Sequence, residues 1–217
     1  MRGRSRCLRL ERSFGPTRKP GLRTTLADAP RLGVALLAAG SSRRFGSGDK
    51  LAAIFRGRRL GDHAALAIPV EEFAVSWVIT SRIGHACEQV WQDCGLKPIV
   101  NPRASEGMGT SVACAARMAE AEELDGLIIA LADMPMVPKG HFMALIGALC
   151  GPQAIAVSAY HTLRSPPAAF GKDHFSALAS REGDIGARDL LSRGEAILCP
   201  PNWLVDIDTT EALKSLD

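Results

Sequence analysis

Apolar residues fall along this chain in short unbroken runs separated by amphipathic stretches, and the alternation begins at residue 32. Runs at Leu32–Ala38, Ala74–Thr80, Pro98–Val100, Leu127–Ala132, Ala154–Ala159 and Ala196–Cys199 predict strands, with a short one at Leu204–Ile207. Between them the spacing predicts helices at Gly61–Ile68, Ile83–Cys94, Gly109–Leu124, Lys139–Leu149, Lys172–Ala179, Gly186–Arg193 and Thr209–Leu216. The third is the clearest, with Val112, Ala115, Ala116 and Ala119 at i, i+3, i+4 and i+7. Strands with no polar face, such as "GLIIALA", need a sheet covered on both sides. Strands alternating with helices then give an α/β fold, a doubly wound, mostly parallel sheet, here as one domain over residues 32–217. Ligands in such sheets sit beyond the carboxyl ends of the strands. Attention therefore goes to the stretches after Ala38, Thr80 and Ala132.

Composition changes the picture mainly through charge. The chain has 217 residues and a net charge of +3, unevenly placed. Residues 1–31 hold eight Arg and Lys19 against Glu11 and Asp28, a net +7, which leaves 17 basic and 21 acidic residues beyond them. The mildly acidic remainder argues against a general nucleic-acid binder. Residues 1–31, with Pro16, Pro20 and Pro30 and no sustained period, read as a disordered basic extension. An Arg-rich organelle transit segment is the alternative reading. No apolar run reaches the roughly 18 residues of a membrane span. The six cysteines form no CxxC pair and no Cys/His cluster with zinc spacing. Cys87 and Cys94 read as free thiols on one helix face, which suits a reducing cytoplasm.

The chemistry concentrates behind the first strand, in "LAAGSSRRFGSGDKL" (Leu37–Leu51). A Walker A loop needs Gly-Lys-Ser/Thr, but Lys50 lies between Asp49 and Leu51; a dinucleotide fingerprint fails because Gly46-x-Gly48 runs on to Leu51. What remains is Gly40, where backbone can approach a ligand closely, then consecutive amides and hydroxyls able to ring anionic oxygens. Arg44 and Lys50 add positive charge. A solvated basic turn is the plainer alternative.

Leu37, Ala38, Ala39, Gly40, Ser42, Arg44, Phe45, Gly46 and Lys50 meet the pattern L-A-A-G-x-S-x-R-[M/F]-G-x-x-x-K, which resembles the nucleotide-binding signature of the small NTP transferases of molybdenum-cofactor maturation. Further blocks follow in the family's order. They are "NPRASEGMGTSVACAAR", "LADMPMV", "SPPAAFGKDHFSAL", "REGDIGARDLL" and "VDIDTTEAL", the last with Thr210 and Ala212 where the family usually has Pro and Asp. Together they span roughly residues 32–216. The resemblance implies a Rossmann-like nucleotidyltransferase fold. Ala39, where a guanylyl-transferring branch usually has Gly, is similar to the molybdopterin cytidylyltransferase branch. The implied reaction moves CMP from CTP to the terminal phosphate of molybdopterin and releases pyrophosphate. Its product is the cytosine-dinucleotide cofactor of enzymes of the xanthine dehydrogenase type. The implied partners are CTP and molybdopterin, with a molybdoenzyme maturation partner admitted and neither nucleic acid nor membrane expected. A same-fold cytidylyl- or guanylyltransferase with another phosphorylated acceptor, and a non-catalytic cofactor-binding chaperone, are the alternatives.

Such a reaction brings two anions together and builds charge on a leaving pyrophosphate, so it needs cations and a metal more than a strong base. Arg44 and Lys50 would then hold the triphosphate, with the backbone from Leu37 to Gly40 and Ser42 around it. Magnesium prefers carboxylate, water and phosphate oxygens. Asp133, just past a buried strand, is the first expected Mg2+ ligand, or else a cap for the helix near Pro138. Asp206 and Asp208 share a face by alternation; the resemblance favours Asp206, and Asp208 is also a helix-cap candidate. Ser111 either caps its helix or reaches nucleotide, and Asp184 either caps the helix at Gly186 or contacts the acceptor. Phe170, Gly183, Asp184 and Gly186 are the expected acceptor-side residues, although core packing is the plainer role for Phe170.

Overall fold

A computed structural model describes residues 29–40, 45, 48–183 and 187–216. Nine strands and seven α-helices lie among them. They are β1 (Leu32–Leu37), β2 (Ile54–Phe55), β3 (Arg58–Arg59), α1 (Leu60–Ala67), β4 (Val75–Thr80), α2 (Glu88–Asp93), β5 (Lys97–Val100), α3 (Met108–Ala121), β6 (Gly126–Leu131), α4 (Lys139–Ala148), β7 (Ile155–Tyr160), β8 (Leu163–Gly171), α5 (Phe175–Ala179), α6 (Arg188–Leu191), β9 (Glu195–Leu198) and α7 (Thr210–Leu216). Seven strands form one sheet in the order β5-β4-β1-β6-β8-β7-β9. All its neighbours pair parallel except β8, which runs antiparallel to both β6 and β7.

The period of two along β1 sorts its side chains between two cores. Leu32, Val34, Leu36 and Ala38 pack on one face with Leu60 and Ala64 of α1, Trp91 of α2, and Phe142 and Leu145 of α4. Ala35 and Leu37 face the other way, against Val112, Ala115, Ala116 and Ala119 of α3, with Phe175 and Leu178 of α5. Both layers expected from the unbroken apolar strands are therefore present. α3 carries five alanines in fourteen residues, and their small side chains let it lie close to the sheet.

Three expectations need correction. β8 was missed because Pro166 and Pro167 argue against a ladder strand. The strand accommodates them by a bulge: Val157 pairs with Ala168, but Ser158 pairs with Ser165, so both prolines fall outside the pairing. The Ser158 hydroxyl donates to the Pro167 carbonyl at 2.6 Å in their place. The second miss is the β2–β3 hairpin, turned by Arg56 at φ 47° and Gly57 at φ 77°; positive φ at both central residues is the geometry that matches strand twist. Third, Leu204–Ile207 is not a strand. Pro201–Leu204 is a 3-10 turn, and the chain beyond it is extended and joins no sheet among the described residues.

Candidate active site

The parallel run β4-β1-β6 brings three strand ends to one rim. The Ala38 amide donates to the Ile79 carbonyl at 2.8 Å, and the Ala132 amide to the Leu37 carbonyl at 3.0 Å, so the backbone just past β1 is stitched to both neighbours. Ala38 and Ala39 are buried there, and Gly40 is exposed. A Cβ on Gly40 would meet no atom of the described residues within 4 Å. Ser42, Arg44 and Gly46 lie outside the described residues, as do Asp184 and Gly186 of the acceptor-side set.

The chain returns at Asp49 and places Lys50 in a single 3-10 turn, Lys50–Ala52. The Lys50 side chain is only 9% exposed, and its ammonium donates to Asp133 Oδ2 at 2.6 Å and Asp208 Oδ1 at 2.7 Å. Asp133 comes from the end of β6. Asp208 is brought in by the tail, whose Ile207 amide donates to the Asp133 carbonyl at 3.0 Å. Residues 83 and 158 positions from Lys50 thus converge on one cation. Asp206 is exposed beside them, and its charge is felt at Asp133. Of the two, Asp208 is the carboxylate that bonds Lys50.

Burial alone would lower the Lys50 ammonium, but the Asp133 and Asp208 carboxylates more than offset it and hold its pKa above the ordinary lysine value. Burial likewise raises Asp133 above the usual carboxylate range; Lys50 opposes the rise, and Asp206 and Asp208 add to it. Asp133 Oδ1 is buried with no hydrogen-bond partner. A carboxylate oxygen in that position suits a cation. Among the described residues no three His, Cys, Asp or Glu side chains form a ready-made metal cage. Magnesium, which usually takes one or two carboxylates and completes its shell with water and substrate phosphate, does not need one.

The capping alternatives resolve against the aspartates. α4 begins after Pro138 with no side-chain cap, so Asp133 does not serve it. The Ala212 amide bonds Thr209 Oγ1 at 3.1 Å, which makes Thr209, not Asp208, the residue that caps the first turn of α7.

The other expected residues separate. Ser111 is buried near the start of α3, where its hydroxyl accepts from Asn101 Nδ2 at 3.0 Å; the same amide reaches Thr110 Oγ1. It neither caps α3 nor is exposed to a ligand. Asn101, directly after β5, is the polar residue on that side that the sequence did not single out. Gly183, at φ 57°, accepts the Gly109 amide through its carbonyl at 2.7 Å and docks its segment on α3. Phe170 is misassigned to the acceptor side. It is buried and pairs with Leu127, at the amino end of β6, because β8 runs backwards. Four residues separate that position from Leu131, roughly 13 Å along a strand.

Residues 34–197 match the MobA-like NTP transferase domain. The purine catabolism protein PucB of Bacillus subtilis is 31% identical over 201 residues, covering 84% of this chain and 94% of PucB. The nicotine blue oxidoreductase of Paenarthrobacter nicotinovorans is 31% identical over 194 residues, with 83% and 87% covered. A nucleotidyl transferase from Methanothermobacter superposes with a TM-score of 0.72 at 16% identity, over 87% of this chain and 96% of that one. The molybdopterin-guanine dinucleotide biosynthesis protein A of Archaeoglobus fulgidus gives 0.56 at 18%, over 85% and 96%.

Proposed function

The chain belongs to the MobA-like NTP transferases, and from that premise we propose that it transfers CMP from CTP to the terminal phosphate of molybdopterin. The observation that carries the nucleotidyl part is the Lys50–Asp133–Asp208 cluster at the rim beyond Gly40. Lys50 supplies a permanent positive charge for triphosphate oxygens, and its two carboxylates keep it protonated. None of the described residues fills the space at Gly40, which supports reading its backbone as open to a phosphate. Arg44 and Ser42 join this phosphate-binding set on the sequence pattern alone.

The orphaned Asp133 Oδ1, with Asp208 beside it, fits a divalent cation, and Mg2+ is the proposed one. Bound there, it would offset charge on the departing pyrophosphate. The protein's own part is electrostatic and positional: it holds the phosphates, screens their repulsion from the incoming acceptor phosphate and leaves no strong base to be supplied.

Cytidine rather than guanosine is proposed from Ala39 and its L-A-A-G context. Molybdopterin is supported by the family blocks and by the purine-catabolism name of PucB, since purine hydroxylation by enzymes of the xanthine dehydrogenase type uses the cytosine-dinucleotide cofactor. The name of the second relative raises a redox reaction instead. One incubation separates the readings: protein, magnesium and molybdopterin with each of the four NTPs, or with reduced nicotinamide cofactor, the product identified by mass. A cytosine-dinucleotide product with pyrophosphate supports the proposal. Nucleotide transfer from GTP alone, or cofactor oxidation without transfer, overturns it.

A further inference from the structure

The turn that carries Lys50 is gripped from outside the site. Asp49 precedes Lys50, and its Oδ1 accepts the Leu51 amide at 3.0 Å, capping the 3-10 turn. Its other oxygen accepts from His85 Nε2 at 2.9 Å and Arg82 Nη2 at 3.1 Å. Both donors come from the segment after β4, the strand next to β1.

His85 is fixed on every side. It is buried, and its ring stacks on Trp91 with centroids 4.6 Å apart and planes 24° from parallel. The Trp91 indole donates to the Gly61 carbonyl at 2.9 Å. The Cys87 amide donates to His85 Nδ1 at 3.0 Å. That bond settles the tautomer: Nδ1 is the acceptor, so the proton sits on Nε2 and faces Asp49. Glu88 accepts the Gly84 and His85 amides and holds the backbone behind the ring. Cys87 Sγ donates to the Leu51 carbonyl at 3.3 Å. Leu51 is therefore held at both its amide and its carbonyl, and the residue between the two anchors and the site is Lys50.

An apolar side chain would fill the space against Trp91 with less desolvation than an imidazole bonded to a carboxylate. What the polar pair adds is a defined position. We propose that Asp49 and His85 are positioning residues: they lock the Lys50 turn so that the ammonium is aimed at the rim between Asp133, Asp208 and the bound triphosphate. The inference rests on the reading of Lys50 as a triphosphate ligand. Neither residue of the pair touches substrate. Their effect runs through the backbone of the turn.

The test uses the full chain and two readouts. Amide hydrogen exchange is followed at Leu51, with Val34 and Leu36 of β1 as internal references, in wild type, His85→Ala, His85→Gln and Asp49→Asn. Binding of magnesium-CTP and magnesium-GTP is measured by calorimetry in the same proteins, with and without Lys50→Ala. Leu51 should exchange on the order of tenfold faster in His85→Ala and Asp49→Asn while β1 stays protected. Triphosphate binding should weaken on the order of tenfold, as is usual when an outer-shell partner is removed. His85→Gln, whose terminal amide can still donate to Asp49, should recover most of both. In the Lys50→Ala background the pair should have no further effect on binding. Unchanged Leu51 exchange in His85→Ala overturns the proposal. So does a binding loss of equal size with and without Lys50. Faster Leu51 exchange combined with full binding by Lys50→Ala supports the positioning and instead removes Lys50 from the triphosphate site.

Discussion

Lys50 Nζ and Asp133 Oδ2 lie 2.6 Å apart, although 83 residues separate them in sequence. The contact follows from topology: β1 and β6 pair in parallel, so the segment after β1, which carries Lys50, and the residues just past β6, which include Asp133, leave the sheet at the same rim. Asp208 completes the arrangement from the tail, and the cation is shared by two carboxylates.

Removing the cation should show first in stability. Taking one partner from a fully buried ion pair costs about 3–5 kcal/mol. Here Asp133 and Asp208 keep 21% and 33% side-chain exposure, so water recovers part of the loss. Lys50→Ala should then lose about 2 kcal/mol, a Tm drop of about 4–8 °C for a chain of this size. Millimolar magnesium should raise the Tm of the variant more than that of wild type, because in the variant the two carboxylates would take the ion in place of the ammonium. Thermal denaturation with and without magnesium decides it; a variant as stable as wild type refutes the coupling.

Asp133→Asn makes the opposite change. It keeps the shape, leaves Lys50 paired to Asp208 and removes the charge proposed to hold the metal. Nucleotide transfer should fall on the order of 10²-fold, the scale of one lost preorganised electrostatic group. Excess magnesium should recover part of it, whereas it should not recover transfer by Lys50→Ala. Steady-state rates across a magnesium titration separate the two, and full activity in Asp133→Asn removes this carboxylate from the mechanism.

Nucleotide choice is a third expectation. CTP should outcompete GTP at least tenfold, a margin of about 1.4 kcal/mol that one contact can supply. Ala39→Gly should narrow the margin by opening space beside the backbone after β1. Competition assays with both triphosphates measure it, and equal use by wild type would sink the cytidylyl assignment while leaving the fold untouched.

How far these features were readable in advance depended on whether their cause was local. Unbroken apolar runs gave β1, β4 and β6 nearly to the residue, because burial on both faces is written into each segment. The rim position of Lys50 and Asp133 followed from those strands. β8 was invisible, since two prolines obscure a strand that absorbs them in a bulge, and only that reversed strand shows that Phe170 sits at the amino end of β6, away from the rim. Asp49 did carry a usable signal, a cap residue placed directly before a short turn. His85 carried none. Its role depends on Trp91 beneath it and Asp49 beside it, contacts that arise only when the segments after β1 and β4 are side by side.

Gly109 offers a steric test of the block between β5 and α3. A Cβ there would lie 2.7 Å from the Gly183 carbonyl and 2.8 Å from that of Glu182, both backbone atoms with little room to yield. Gly109→Ala should push the 182–183 segment off the start of α3 and break the Gly109–Gly183 hydrogen bond. Since α3 keeps its apolar face, the fold should survive with a loss of about 1–3 kcal/mol, the usual scale of overpacking. If Gly183 belongs to the acceptor side, KM for the acceptor should rise while KM for the nucleotide holds. A uniform rise in both would place the segment elsewhere.

The last expectation concerns acid. His141 is buried, and its Nε2 lies 2.7 Å from Ser158 Oγ. The serine hydroxyl donates to the Pro167 carbonyl, so its oxygen accepts and the histidine proton sits on Nε2. Burial lowers the pKa of this ring below the ordinary value of 6.5. Unfolded, the ring gains a proton below about pH 6.5, whereas folded it resists. The unfolded state then binds more protons, so stability is full above that pH and falls as pH drops toward the folded-state pKa. The slope approaches about 1.4 kcal/mol per pH unit within that window, or about 3–6 °C in Tm. His141→Gln keeps a donor for Ser158 and removes the titration. Tm measured from pH 7.5 to 5.0 should therefore decline less steeply in the variant than in wild type, and parallel curves would show that this ring takes no part in the acid sensitivity.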